Sequence, residues 1–229
     1  MMKISAKPVN FKMGEYISNG YEFLKSNFGS LFGAFLLTML MSIIPFCGLL
    51  AVGNFYRYCS DLRAGKQVSA GDIFNFDNFM PYFVLQLILI GGIMLIYIPM
   101  LFVLPTMADR DASAGPPVFF MVYIFVVYIA ILIVCLNGFY MPALISLGGI
   151  TDVKTAWNMS LTMTKGNLLT IFLYSLVIGF LGQLGVIACV IGLIFTLPLV
   201  YTSHYFAYED AMKQVTHDEI QEIGSKNEF

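Results

Sequence analysis

From Met13 the apolar residues Met13, Tyr16, Ile17, Tyr21, Leu24 and Phe28 recur at the spacing of one helix face. Glu15, Ser18, Asn19, Glu22, Lys25 and Ser26 take the other face. The pattern returns at residues 152–168, where Val153, Ala156, Trp157, Leu161 and Leu168 are apolar. Each stretch runs straight into a long apolar segment. The spacing therefore predicts an amphipathic helix lying on a membrane surface and feeding a spanning helix.

Between these stretches the chain alternates apolar runs with polar breaks. Ser30–Ile44 and Leu49–Tyr58 flank the turn signal Pro45-Phe46-Cys47-Gly48. At roughly 17 residues each, two spans here would reach only about 25 Å, short of the usual ~30 Å hydrocarbon core. Local thinning of the bilayer or a partly re-entrant hairpin would accommodate them. After the charged loop holding Asp61, Arg63 and Lys66, Ser69-Ala70-Gly71-Asp72 has the form of a capping box. Phe76, Phe79, Met80 and Phe83 follow on one face, a second and shorter elbow, with Pro81 expected to bend it into the span Tyr82–Val103. Pro105–Pro117 is the longest polar connection. Val118–Leu144 is the fourth span, interrupted near its end by Asn137, Gly138 and Pro142, and Leu168–Phe180 and Val186–Tyr205 are the fifth and sixth.

A repeat organises these segments. Lys25 and Asn27 match Lys165 and Asn167, and Tyr56, Tyr58 and Asp61 are echoed by Phe206, Tyr208 and Asp210. The expected architecture is an all-α integral membrane protein. It forms one transmembrane domain over residues 1–229, with six transmembrane helices in three hairpins, each preceded by a cytoplasmic amphipathic interfacial helix. The units run about 12–63, 69–146 and 151–210, and residues 211–229 form a cytoplasmic tail.

Composition agrees with this reading. Apolar residues make up 59% of the chain and charged residues 11%, with a mean hydropathy of +0.80, against roughly 25% charged residues in soluble domains. The net charge of −2 supplies no basic face for nucleic acid. Every Lys and Arg except Arg110 falls in the N-terminal tail, the elbows and their flanking loops, or the C-terminal tail. The positive-inside rule then places both termini in the cytoplasm and the Arg110 loop outside, with the cell inner membrane as the expected location. The first 28 residues lack the apolar core of a cleavable signal peptide, so the first span is expected to act as the targeting signal.

Candidate chemistry is sparse. No Asp, Glu, Lys or Arg lies in a predicted span away from its ends, and the cysteines Cys47, Cys59, Cys135 and Cys189 include no C-x-x-C pair. No metal or cofactor is expected, and no enzymatic activity. Cys47 and Cys189 could pair near the outer hairpins or serve as small packing residues. Gln86, Asn137, Thr196 and His204 are the candidate intramembrane polar site, with interhelical hydrogen bonding as the simpler role. Asn137 leads, because Gly138 and Pro142 could open the helix beside it and bare its carbonyls. Lys25, Lys154, Trp157 and Lys165 are candidate contacts for lipid headgroups.

Thr155-Ala156-Trp157-Asn158-Met159-Ser160, Lys165-Gly166-Asn167, Gly192 through Pro198, Tyr208-Glu209-Asp210 and the earlier Gly65–Phe74 segment carry a family resemblance. The chain resembles bacterial multi-pass inner-membrane proteins related to the membrane domain of some glycerophosphodiester phosphodiesterases. The resemblance implies the multi-pass fold. It implies no phosphodiesterase activity here, since no fused catalytic domain is expected in these 229 residues. The expected function is non-enzymatic, engaging membrane lipids, a membrane-protein partner or a second copy in envelope maintenance or assembly. The alternative is a small transporter or exporter component with a polar site between the repeats.

Overall fold

The apolar period that begins at Met13 stops at Asn27, and there the helix axis turns. The computed structural model describes residues 9–108, 118–185 and 189–226. Its helices are α1 (Met13–Ser26), α2 (Phe28–Ile43), α3 (Gly48–Arg63), α4 (Phe79–Ala108), α5 (Val118–Asn137), α6 (Met141–Ser146), α7 (Val153–Thr164), α8 (Leu168–Gln183) and α9 (Cys189–Lys226). A single 3₁₀ turn, Ala70–Phe74, lies between α3 and α4, and no strand occurs among the described residues.

Two near-right-angle bends follow the amphipathic stretches that begin at Met13 and Val153. α1 and α2 meet at 102°, and α7 and α8 at 95°. The residues at the two bends, Asn27 and Asn167, share nearly the same backbone, φ −123° ψ 29° and φ −119° ψ 9°. Asn27 closes the end of α1 twice over, its backbone amide and its Nδ2 both donating to the Phe23 carbonyl at 3.1 Å. Asn167 Nδ2 instead donates to the Val9 carbonyl, tying the second elbow to the N-terminal segment.

The middle elbow differs from expectation. The Ser69–Asp72 capping box is present, with the Ser69 amide donating to Asp72 Oδ2 at 2.8 Å. It opens only the 3₁₀ turn, however, and not an amphipathic helix. Pro81 sits in the first turn of α4, where a missing N–H leaves no helical bond unmade, so it makes no bend.

Membrane-crossing capacity is narrower than six spans. Among the described residues, Phe79–Leu101 and Val118–Ser146 are long and apolar enough to cross a membrane, and each bent pair could add one more. The total is two to four. Only 6% of each long span's apolar window is buried inside the protein, so these surfaces belong in lipid. α3, expected to be a span, is 16 residues long and packs many of its side chains inside the protein. Leu50, Ala51, Phe55, Tyr56, Tyr58 and Cys59 are buried along it. Gly53 is the notch that admits Tyr82: a Cβ there would fall inside the phenol ring. Tyr82 crosses the notch to donate to the Pro142 carbonyl at 2.6 Å, joining α4 to α6 over α3.

The elbows set the packing order. The 3₁₀ turn packs on α2 and α3, α7 packs on α5 and α6, and α1 packs on α9. Each elbow thus docks on the helices that close the preceding unit, and the first docks on the last. The ring closes through Gly20, whose carbonyl accepts from Thr202 Oγ1 at 3.1 Å. A Cβ on residue 20 would lie 2.8 Å from the Ser203 backbone nitrogen, so the two helices touch backbone to backbone. Among the described residues α4 and α5 make no comparable contact with each other.

Candidate functional site

α1, the end of α3 and residues 206–215 of α9 assemble a polar end. Tyr16 donates its hydroxyl to Asp210 Oδ2 at 2.6 Å, and Gln214 Nε2 donates to the same oxygen at 2.6 Å. Gln214 also grips the backbone of Asn10, accepting from its amide at 2.7 Å and donating to its carbonyl at 3.1 Å. Arg63 pairs with Glu209, and its guanidinium lies 4.7 Å over the Phe206 ring. Lys213 shares Glu209 at 3.0 Å. Beside this network lies an open groove of about 300 Å³, lined by Asn19, Glu22, Phe23, Ser26 and Asn27 with Arg63 and Phe206.

The four intramembrane polar candidates do not form one cluster. Among the described residues no hydrogen bond joins any two of Gln86, Asn137, Thr196 and His204. Asn137 ends α5, and its side chain donates to the Ile133 carbonyl at 2.8 Å. The helix break beside it is closed by the protein. Ser160 Oγ of α7 donates to the Asn137 carbonyl at 2.5 Å and accepts from the Tyr140 amide at 3.3 Å. Thr164 Oγ1 approaches Asn137 Oδ1 at 3.5 Å. The carbonyl that a broken helix could offer to a ligand is therefore already taken. Thr196 donates its hydroxyl to the Gly182 carbonyl, pinning α9 to α8. His204 stands edge-on to Phe139 at 5.1 Å and tilted to Tyr174 at 5.6 Å, its Nε2 buried without a partner. Gln86 Oε1 is likewise buried and unpartnered.

Lys25, Lys154 and Lys165 are all exposed, on the last turn of α1, the first turn of α7 and the end of α7. Trp157 is half-buried and packs against the core, its ring facing Gly138 in the α5–α6 break. Cys47 is a buried free thiol, and the side chain of Cys189 lies outside the described residues. The Arg110 loop, residues 109–117, also lies outside them.

Sequence reasoning passed over the aromatic core. Phe11, Tyr16, Phe139 and Tyr174 form a connected set of edge-to-face rings, with Phe11 4.9 Å from Tyr16 and 5.3 Å from Tyr174. The hydroxyls of Tyr140, Tyr174 and Ser203 are buried there without partners. The signal was available: Tyr140 and Tyr174 are the polar-tipped residues in otherwise apolar stretches. Among the described residues no three His, Cys, Asp or Glu side chains are placed to hold a metal ion.

These features define a small all-helical membrane protein with right-angle surface elbows. No family model, no curated protein and no solved structure matches the chain.

Proposed function

We propose that this chain is a non-enzymatic protein of a bacterial inner membrane that engages lipid headgroups through its elbow face. The observation that carries the reading is the pair of near-right-angle bends at Asn27 and Asn167. They turn polar helices off the axes of apolar ones, and Lys25 and Lys165, exposed at the two bends, fall at the same repeat position. A polar helix set across a lipid-immersed one has its natural place at headgroup depth. The distribution of Lys and Arg supports a cytoplasmic position for both termini. The lipid-facing surfaces of α4 and α5 are available to acyl chains, to a membrane-protein partner or to a second copy. The motifs around Trp157, Asn167, Pro198 and Asp210 support kinship with the phosphodiesterase-associated membrane-domain group and no transfer of its chemistry.

The test is lipid-dependent stability. Added phospholipid should raise the melting temperature of the delipidated full chain in detergent, and charge reversal at Lys25, Lys154 and Lys165 together should remove most of that rise. An unchanged lipid response in the triple variant would sink the reading.

The buried unpartnered hydroxyls of Tyr140, Tyr174 and Ser203, with His204 Nε2, favour a second reading as a transporter component. It requires solute flux in proteoliposomes that Tyr174→Phe and His204→Ala abolish without loss of folded protein.

A further inference from the structure

The groove beside α1 has two walls of opposite charge. Glu22 stands on α1 with no ion-pair partner among the described residues. The other charged residue of the groove is Arg63, whose partner Glu209 is shared with Lys213, so Arg63 is only partly neutralised. Asn19, Ser26 and Asn27 add neutral donors and acceptors. The floor is aromatic, with Phe23 and Phe206 edge-on at 5.7 Å. At its inner lip the groove changes character within one residue. Asn27 lines it, and the ring of Phe28 stacks on Phe32 at 5.4 Å and on Phe195 at 6.0 Å, with Phe28 and Phe195 exposed to the surroundings of α2 and α9.

We propose that this groove binds the zwitterionic headgroup of an aminophospholipid. The phosphate sits at Arg63 and the groove amides, the ammonium at Glu22, and an acyl chain runs along the Phe28–Phe32–Phe195 stack. A free anion or an anionic lipid could use Arg63 but would meet Glu22 with repulsion, whereas a zwitterion satisfies both charges. A soluble zwitterion would leave the phenyl stack unused. Arg63 keeps a charge-assisted donor set suited to phosphate even while it pairs with Glu209, since its guanidinium carries five N–H donors. The proposal rests on the lipid-engaging reading above and adds the place and the headgroup class.

Native mass spectrometry of the full chain released from nanodiscs holding equal parts phosphatidylethanolamine and phosphatidylglycerol counts the lipids retained. The expected result is retention of phosphatidylethanolamine over phosphatidylglycerol by about tenfold, the scale of one charge-assisted hydrogen bond. Glu22→Gln should bring that ratio close to one while total retention holds. Glu22 is exposed and unpaired, so this variant leaves the fold alone. Arg63→Gln should cut retention of both lipids. Soluble glycerophosphoethanolamine should compete weakly, and inorganic phosphate not at all. A native ratio of one, a ratio unmoved by Glu22→Gln, or displacement by phosphate alone would each overturn the proposal. The broader reading falls separately, on the lipid-dependent melting of the Lys25, Lys154 and Lys165 variant, which the groove substitutions do not touch.

Discussion

Two residues show how closely the interior is fitted. Gly53 makes room for Tyr82, and a methyl group placed there would lie 1.9 Å from the Tyr82 hydroxyl oxygen, so the phenol would have to move. Gly53→Ala should therefore cost about 2–3 kcal/mol as an overpacking change, read as a lowered melting temperature in detergent. Tyr82→Phe keeps the ring and loses only the bond to the Pro142 carbonyl, which Ser146 Oγ still reaches at 3.1 Å. Its cost should be about 1 kcal/mol or less. Ser160 and Asn137 make a second contrast. Ser160→Ala leaves the Asn137 carbonyl and the Tyr140 amide both buried and unmet, at about 2–3 kcal/mol. Asn137→Ala removes a bond to a carbonyl of its own helix and a long contact from Thr164, which retains its own bond to the Ser160 carbonyl. If Asn137→Ala proved the more damaging of the two in the same unfolding measurement, the break would be serving something other than structure.

The elements divide into those that could be read from the sequence and those that could not. α1 and α7 were legible because amphipathic period, repeat and adjoining apolar run all agreed. Asn27 and Asn167 even adopt matching backbone angles. The middle elbow was overread, since the Phe76–Phe83 spacing fits a helix, whereas Asn75 and Asp77 bond to each other and take the chain out of helical form. α3 poses a different problem. Its apolar residues look like half a span, and only tertiary contacts reveal that they face other protein on most sides. The start of α7 carries a pH prediction. Asp152 accepts from the Thr155 hydroxyl at 2.5 Å and its amide at 2.8 Å, which holds its carboxyl below the ordinary carboxylate value. A depressed folded-state pKa gives stabilisation that is present above the unfolded carboxylate pKa and is lost as pH falls through the folded one. The hydrogen-exchange protection of Thr155 should thus be steady near neutrality and fall in acid, and Asp152→Asn should flatten that dependence. Protection of Thr155 that stayed constant into acid in the native chain would contradict this account of the cap.

The molecule as a whole is held by contacts between units more than by its hairpins, and this was invisible in the sequence because the closing pair is the first helix and the last. α1 lies on α9 through Gly20, Thr202 and Ser203, and the Asn10–Gln214 grip and Tyr16–Asp210 bond extend the same seam. α3 joins α6 across the middle, while α4 and α5, neighbours in sequence, barely touch among the described residues. The covalent link between α4 and α5 is then not what sets the geometry of the two halves. Coexpressed fragments ending at Ala108 and beginning at Val118 should assemble in the membrane and copurify in mild detergent through a tag on either one. Gly20→Val places bulk against the Ser203 backbone, which cannot retreat as a flexible side chain would. It should sharply reduce copurification of the fragments and leave the unbroken chain folded but less stable, because there the link restores a high effective concentration of the two halves. Fragments that failed to associate even with Gly20 intact would show that the hairpin between α4 and α5, and not the ring of elbows, is what assembles the fold.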